Sequence, residues 1–182
     1  QAQEALAAAF WRWRTTQQPR SGDDIPRRDR PPGWVPRWSG DAVAQMREQL
    51  NAFRSSLAAL PATEERADQV DRRLLLSALN RVTWELDVDP AWRTNPTFYV
   101  DQTVGAVFDL LAPPRVDETR LRSLACLLES FPRTIAEARE NLVACPAEFA
   151  EQALGQLQRI EDDLTAVVRA LGQDFGALPA YQ

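Results

Sequence analysis

The chain has 182 residues, 45% of them hydrophobic and 26% charged, which is enough to bury one sizeable core and leaves no case for wholesale disorder. Its formal net charge of -5 disfavours a phosphate-binding surface, so nucleic acid is not an expected partner. The basic residues are Arg throughout and His is absent, which removes the commonest zinc ligand, the usual general base and the base of a Ser or Cys triad.

In chain order, Gln1 to Gln18 reads as a helix with Leu6, Phe10 and Trp13 on one side. Residues 17 to 37, "QQPRSGDDIPRRDRPPGWVPR", break every helical pattern with Pro and Gly and form one long Pro/Arg-rich loop. Trp34 and Trp38 favour its packing onto the helices, because two indoles left in water forfeit apolar burial. Ser39 is a candidate N-cap for a second helix, in which Val43, Met46, Leu50, Phe53, Leu57 and Leu60 recur at steps of three and four before Pro61. Thr63 is placed to cap a third, carrying Val70, Leu74, Leu75, Leu79, Val82 and Leu86 and stopping before Pro90. Leu76 and Trp84 widen its apolar arc, so cover on more than one side is expected.

Asn95 followed by Pro96 is a strong helix start. Val100, Val104, Val107 and Leu111 form one stripe of that helix, with Phe98 and Phe108 beside it and Pro113-Pro114 as its end. Asp117 caps the next, with Leu121, Leu124 and Leu128, and Pro132 is expected to kink or end it; Ile135, Ala138 and Leu142 continue afterwards. Cys145-Pro146 opens the last helix, where Phe149, Ala153, Leu157, Ile160, Leu164, Val167 and Leu171 step by three and four to Gly172. No strand pattern competes. The expectation is one all-α domain over 1–182, six or seven helices packed as an antiparallel bundle or array.

Few residues signal chemistry. Cys126 and Cys145 form no CxxC pair and read as buried small hydrophobes. Glu161, Asp162 and Asp163 are consecutive, so they point in different directions around a helix and cannot jointly hold one ion. A di-iron bundle needs ExxH pairs, which a chain without His cannot supply. No apolar run approaches the roughly 18 residues that span a bilayer, so a soluble protein is expected, cytoplasmic or, since the chain begins at Gln1, exported after signal removal. Asp101, Gln102 and Asp109 interrupt an apolar helix. They read as structural polar contacts before they read as a cavity lining, with Arg81 or Arg93 as a partner for Asp101. Asp101 and Gln102 are the candidate interface or cavity residues; no residue of the chain is a candidate catalytic, cofactor or metal ligand.

Three segments, "RSGDDIPRRDRPPGWVPRWS", "NPTFYVDQTVGAVFDLL" and "FPRTIAEARENL", taken in this order and spacing, resemble the amino-terminal part of a bacterial family catalogued as domain of unknown function 885. The resemblance runs from about Phe10 to the end. It implies an all-helical protein similar to zinc metallopeptidases of the HExxH type, in which two His and a downstream Glu hold zinc and the motif Glu activates water. Those elements belong to the carboxy-terminal part of the family, so zinc is implied only there and no catalytic residue is carried onto this chain. The expected partner is that carboxy-terminal half, with a peptide as substrate of the full protein. The alternative is a self-standing helical scaffold or protein-interaction subunit.

Overall fold

A computed structural model describes residues 2–20, 30–62, 64–111 and 117–175. Among them the fold is all-α, with no strand. Helix α1 (Ala2–Gln17) is followed by α2 (Gly40–Ala59) and α3 (Arg66–Thr83), which runs straight into a first π-helical turn (Trp84–Val88). The short α4 (Ala91–Thr94) precedes α5 (Pro96–Val100), a second π turn (Asp101–Gly105) and α6 (Ala106–Leu111), three pieces of one continuous rod. Then come α7 (Glu118–Asn141) and α8 (Ala147–Phe175). Counted as continuous rods, the described residues form six long helices and one short one, as the sequence periodicity requires. The chain divides into two compact units, one of Gln1–Gln18 with Trp38–Ala91, the other of Pro19–Arg37 with Trp92–Gln182.

The first unit is a three-helix arrangement whose directions follow from its side-chain pairs. Arg47 pairs with Asp87, Arg54 donates to Asn80 and Thr83, and Arg72 reaches the carbonyls of Leu57 and Leu60. Positions rise along α2 as they fall along α3, so the two are antiparallel. Gln3 donates to the Asp68 carbonyl and Arg14 pairs with Glu85, which makes α1 parallel to α3. The seam is apolar: Val43, Met46, Leu50 and Leu57 of α2 are buried, as are Leu75, Leu79 and Val82 of α3, with Leu86 in the first π turn. Phe10 of α1 is fully buried and meets Phe53 edge to face at 5.6 Å, an arrangement the ring quadrupoles favour. Ser39 caps α2 by accepting from the Ala42 N–H, and Arg72 closes its other end by donating to the last carbonyls.

In the second unit Asn95 accepts from the Thr97 N–H and Pro96 stands in the first helical turn. Asp117 does the same for α7 by accepting from Arg120. Val100, Val104 and Val107 are buried along one side of the rod; Ala106, Val107 and Leu127 form a core cluster with Leu110, Leu111, Leu124, Phe131 and Leu164 packed on it. Tyr99, near the start of the rod, bonds Asn141 at the end of α7, whereas Val107 shares a cluster with Leu127. The rod and α7 are therefore antiparallel.

Several expectations need correction. Helix α7 runs through Pro132 without ending. Proline removes one N–H, and both Pro132 and Leu128, whose carbonyl loses that donor, are exposed, so water can bond the carbonyl. The hydroxyls of Ser130 and Thr134 meanwhile bond the carbonyls of Leu127 and Ser130 on the buried side. Both cysteines are exposed, not buried. The expectation of burial followed from the usual environment of a free Cys, whereas Cys126 falls on the solvent side of α7 and Cys145 in the turn before α8. Helix α8 continues to Phe175, past Gly172. Thr63, Pro113 and Pro114, and residues 21–29 of the long loop, lie outside the described residues; Glu65 occupies the N-cap position of α3, and its side chain does not make the capping hydrogen bond.

Candidate functional site

Residues of the Pro/Arg-rich loop, of the 95–111 rod and of α7 bond one another in the second unit, mostly through side chains that clasp backbone. Gln102, on the second π turn, is 0% exposed, and both its amide oxygen and its amide nitrogen are hydrogen-bonded within the unit. Its Oε1 accepts from the Arg20 N–H at 2.8 Å, and its Nε2 donates to the Arg20 carbonyl at 2.9 Å and to the Phe98 carbonyl at 3.2 Å. A primary amide can present donor and acceptor side by side, so it pairs with both backbone groups of one residue as a neighbouring strand would. The Arg20 side chain then lies along the same helix and donates Nε–H to Asp109.

Further along the loop, Gly33 donates its N–H to Ser123 of α7 at 3.1 Å, and the Pro36 carbonyl accepts from Arg133 at 3.0 Å. Gly33 has φ +72°, the left-handed region that favours glycine. Tyr99 closes the third side. Its hydroxyl donates to the Trp92 carbonyl at 2.7 Å and accepts from Asn141 at 2.9 Å. Burial pushes the Tyr99 phenol up from 10.0 to about 12; the Asn141 bond opposes that shift, and the Glu137 carboxylate adds to it.

Gln102 and Thr103 stand on the second π turn and bond carbonyls of the turn before it: Gln102 donates to Phe98, whose carbonyl also accepts from the Asp101 N–H, and the Thr103 hydroxyl donates to Tyr99 at 2.7 Å. Gly105 ends the turn. A Cβ there would stand 2.8 Å from Arg20 Nη1 and 3.6 Å from an Asp101 oxygen, so the missing side chain makes room for the guanidinium.

Asp101 and Gln102 thus fall side by side on the sequence but in different environments. Asp101 is half-buried at the turn's edge; desolvation raises its carboxyl above the usual range, and the Arg20 charge pulls it partly back. The expected partners for Asp101 are not the ones in place: Arg81 pairs with Glu85, and Arg93 stands over the Trp92 ring. Sequence reasoning missed Arg20 as the residue on which Gln102, Asp101 and Asp109 converge. The available signal was a Gln and a Gly on the buried course of an apolar helix, each of which needs a packing reason.

Among the described residues no group of three or more His, Cys, Asp or Glu is placed to hold a metal ion, and no helix is long and apolar enough to cross a membrane. Chemically, the arrangement holds backbone in place. Comparison with known protein families, curated proteins and solved structures finds no match.

Proposed function

We propose that the chain is a helical scaffold: the amino-terminal segment of a bacterial protein resembling zinc metallopeptidases, not catalytic by itself. In this reading the zinc, the HExxH motif and the peptide substrate belong to a carboxy-terminal half that the scaffold supports. One observation carries it. The resembling segments spend their polar groups on one another, through Gln102 on Arg20, Arg133 on Pro36 and Asn141 on Tyr99, which is the behaviour of structural residues and not of a reactive site. The second reading, a self-standing scaffold or protein-interaction subunit, is favoured by the apolar side chains left exposed on α3 and α8, among them Leu74 and Leu154.

Two measurements test the proposal. Sequencing the gene downstream of the Gln182 codon is expected to find an HExxH-encoding region; a stop codon directly there favours the subunit reading. The purified chain supplied with zinc is expected to leave an unfolded protein substrate uncut, and zinc-dependent hydrolysis that copurifies with the chain through successive columns overturns the scaffold reading.

A further inference from the structure

Arg20 is read through its backbone and its side chain by the same stretch of the rod. The Gln102 amide accepts from its N–H and donates to its carbonyl, a pairing open to any residue except proline. The side chain meets a more selective place. Asp101, Gly105 and Asp109 follow one another at steps of four, which sets them on one face of the rod. Asp109 accepts from Nε, and the Arg20 charge acts on the Asp101 carboxyl. Gly105 leaves the gap between the two acids, because a Cβ there would stand 2.8 Å from Nη1. Two carboxylates with a gap between them suit a flat cation whose donors diverge in a fixed fork; an ammonium is a point charge with no plane to lay in the gap.

The place can also be reached and vacated. The Arg20 side chain is only 17% exposed, but that of Asp109 is 51% exposed, so an incoming cation can engage this carboxylate before Arg20 has left. Arg20 lies beyond the end of α1, and its departure opens no helix.

We propose that the Asp101–Gly105–Asp109 notch, with the Gln102 amide beside it, is a binding site for an arginine residue of an extended peptide on a partner protein, and that Arg20 fills it in cis as a competitor. The inference does not depend on the proposed function. Gln102 gives the incoming backbone the pairing a strand would give, and the two acids select Arg, the division between backbone affinity and side-chain specificity on which recognition of extended peptides rests. Because Arg20 is tethered, it competes at an effective concentration on the order of millimolar, so a partner segment displaces it only when abundant or when it brings further contacts.

Fluorescence anisotropy with a labelled acetyl-Pro-Arg-Ser-amide peptide, which copies residues 19–21, tests this. Arg20→Ala removes the cis side chain and is expected to bind the peptide about tenfold more tightly than the wild-type chain does, and about tenfold more tightly than it binds the same peptide with Lys in place of Arg. Adding Asp109→Asn to Arg20→Ala is expected to reverse the gain. Equal affinity of the wild-type and Arg20→Ala chains, equal affinity for the two peptides, or a gain that survives Asp109→Asn overturns the proposal. Where Arg20→Ala loses helical signal in circular dichroism, the wild-type chain carries the test. Excess Arg peptide is then expected to speed hydrogen–deuterium exchange at the Arg20 amide and the Lys peptide to leave it unchanged; exchange that the Arg peptide does not alter overturns the proposal.

Discussion

The two units of this chain solve the problem of holding helices together in different ways. In the first, polar contacts between helices are mostly side chain to side chain, as in Arg14 with Glu85, Arg47 with Asp87 and Arg54 with Asn80, and they flank an apolar seam. In the second, most interhelical and loop contacts run from side chain to backbone, as in Gln102 to Arg20, Arg133 to Pro36, Ser123 to Gly33 and Tyr99 to Trp92, with Arg20–Asp109 and Asn141–Tyr99 as side-chain pairs. The difference follows from what each unit has to hold. Regular helices satisfy their own backbone, so only side chains are left to pair. The 19–37 segment is rich in proline, and where it packs its free N–H and C=O groups must find side-chain partners or remain wet.

The first way to test this contrast is to damage the apolar seam. Phe10→Ala removes a fully buried ring from the first unit and is expected to cost about 3 to 5 kcal/mol in chemical denaturation. A loss below about 1 kcal/mol would mean that the seam does not hold that unit.

Next in size is Gln102→Leu, which keeps volume and removes every bond to Arg20 and Phe98. Each buried backbone group left without a partner is worth about 1 to 3 kcal/mol, reduced wherever water can enter. Gln102→Glu should rescue little, since a carboxylate cannot donate to the Arg20 carbonyl.

How much of this was legible in the sequence differs between the units for the same reason. Periodicity located the α2 and α3 faces, and the caps at Ser39, Asn95 and Asp117 were readable because they obey short-range rules. The Gln102 clasp was not readable. It joins residues 82 apart and sits on a π turn, which leaves no mark on a pattern read at steps of three and four. Pro132 misled for the opposite reason: a local rule was overridden because its cost falls on a face open to water. Asp101 and Gln102 were picked out together by their polarity; their different burial was a property of the fold.

A smaller effect is expected from pH. Tyr99 is held neutral in the folded chain, with its phenol raised above the unfolded value, so its contribution is fully present below pH 10.0 and is lost as pH rises through about 12. Alkaline titration followed by near-UV absorbance should show one of the two tyrosines ionising late. Tyr99→Phe should abolish that late step while costing the bonds to Trp92 and Asn141.

The smallest effect belongs to Asp101→Asn. Burial penalises its charge and the Arg20 guanidinium recovers only part of that, so removing the charge is expected to change stability by no more than about 1 kcal/mol. A larger loss by thermal denaturation would show that Asp101 is as structural as its neighbour.

Hydrogen–deuterium exchange on the Gln102→Leu variant tests the side-chain clasp most directly. The account predicts faster exchange at the Arg20 amide, whose N–H donates to Gln102, and along the rod of α5, the second π turn and α6, with the amides of α2 and α3 unchanged. Unaltered exchange at Arg20, or an equal loss of protection in α2 and α3, would contradict it.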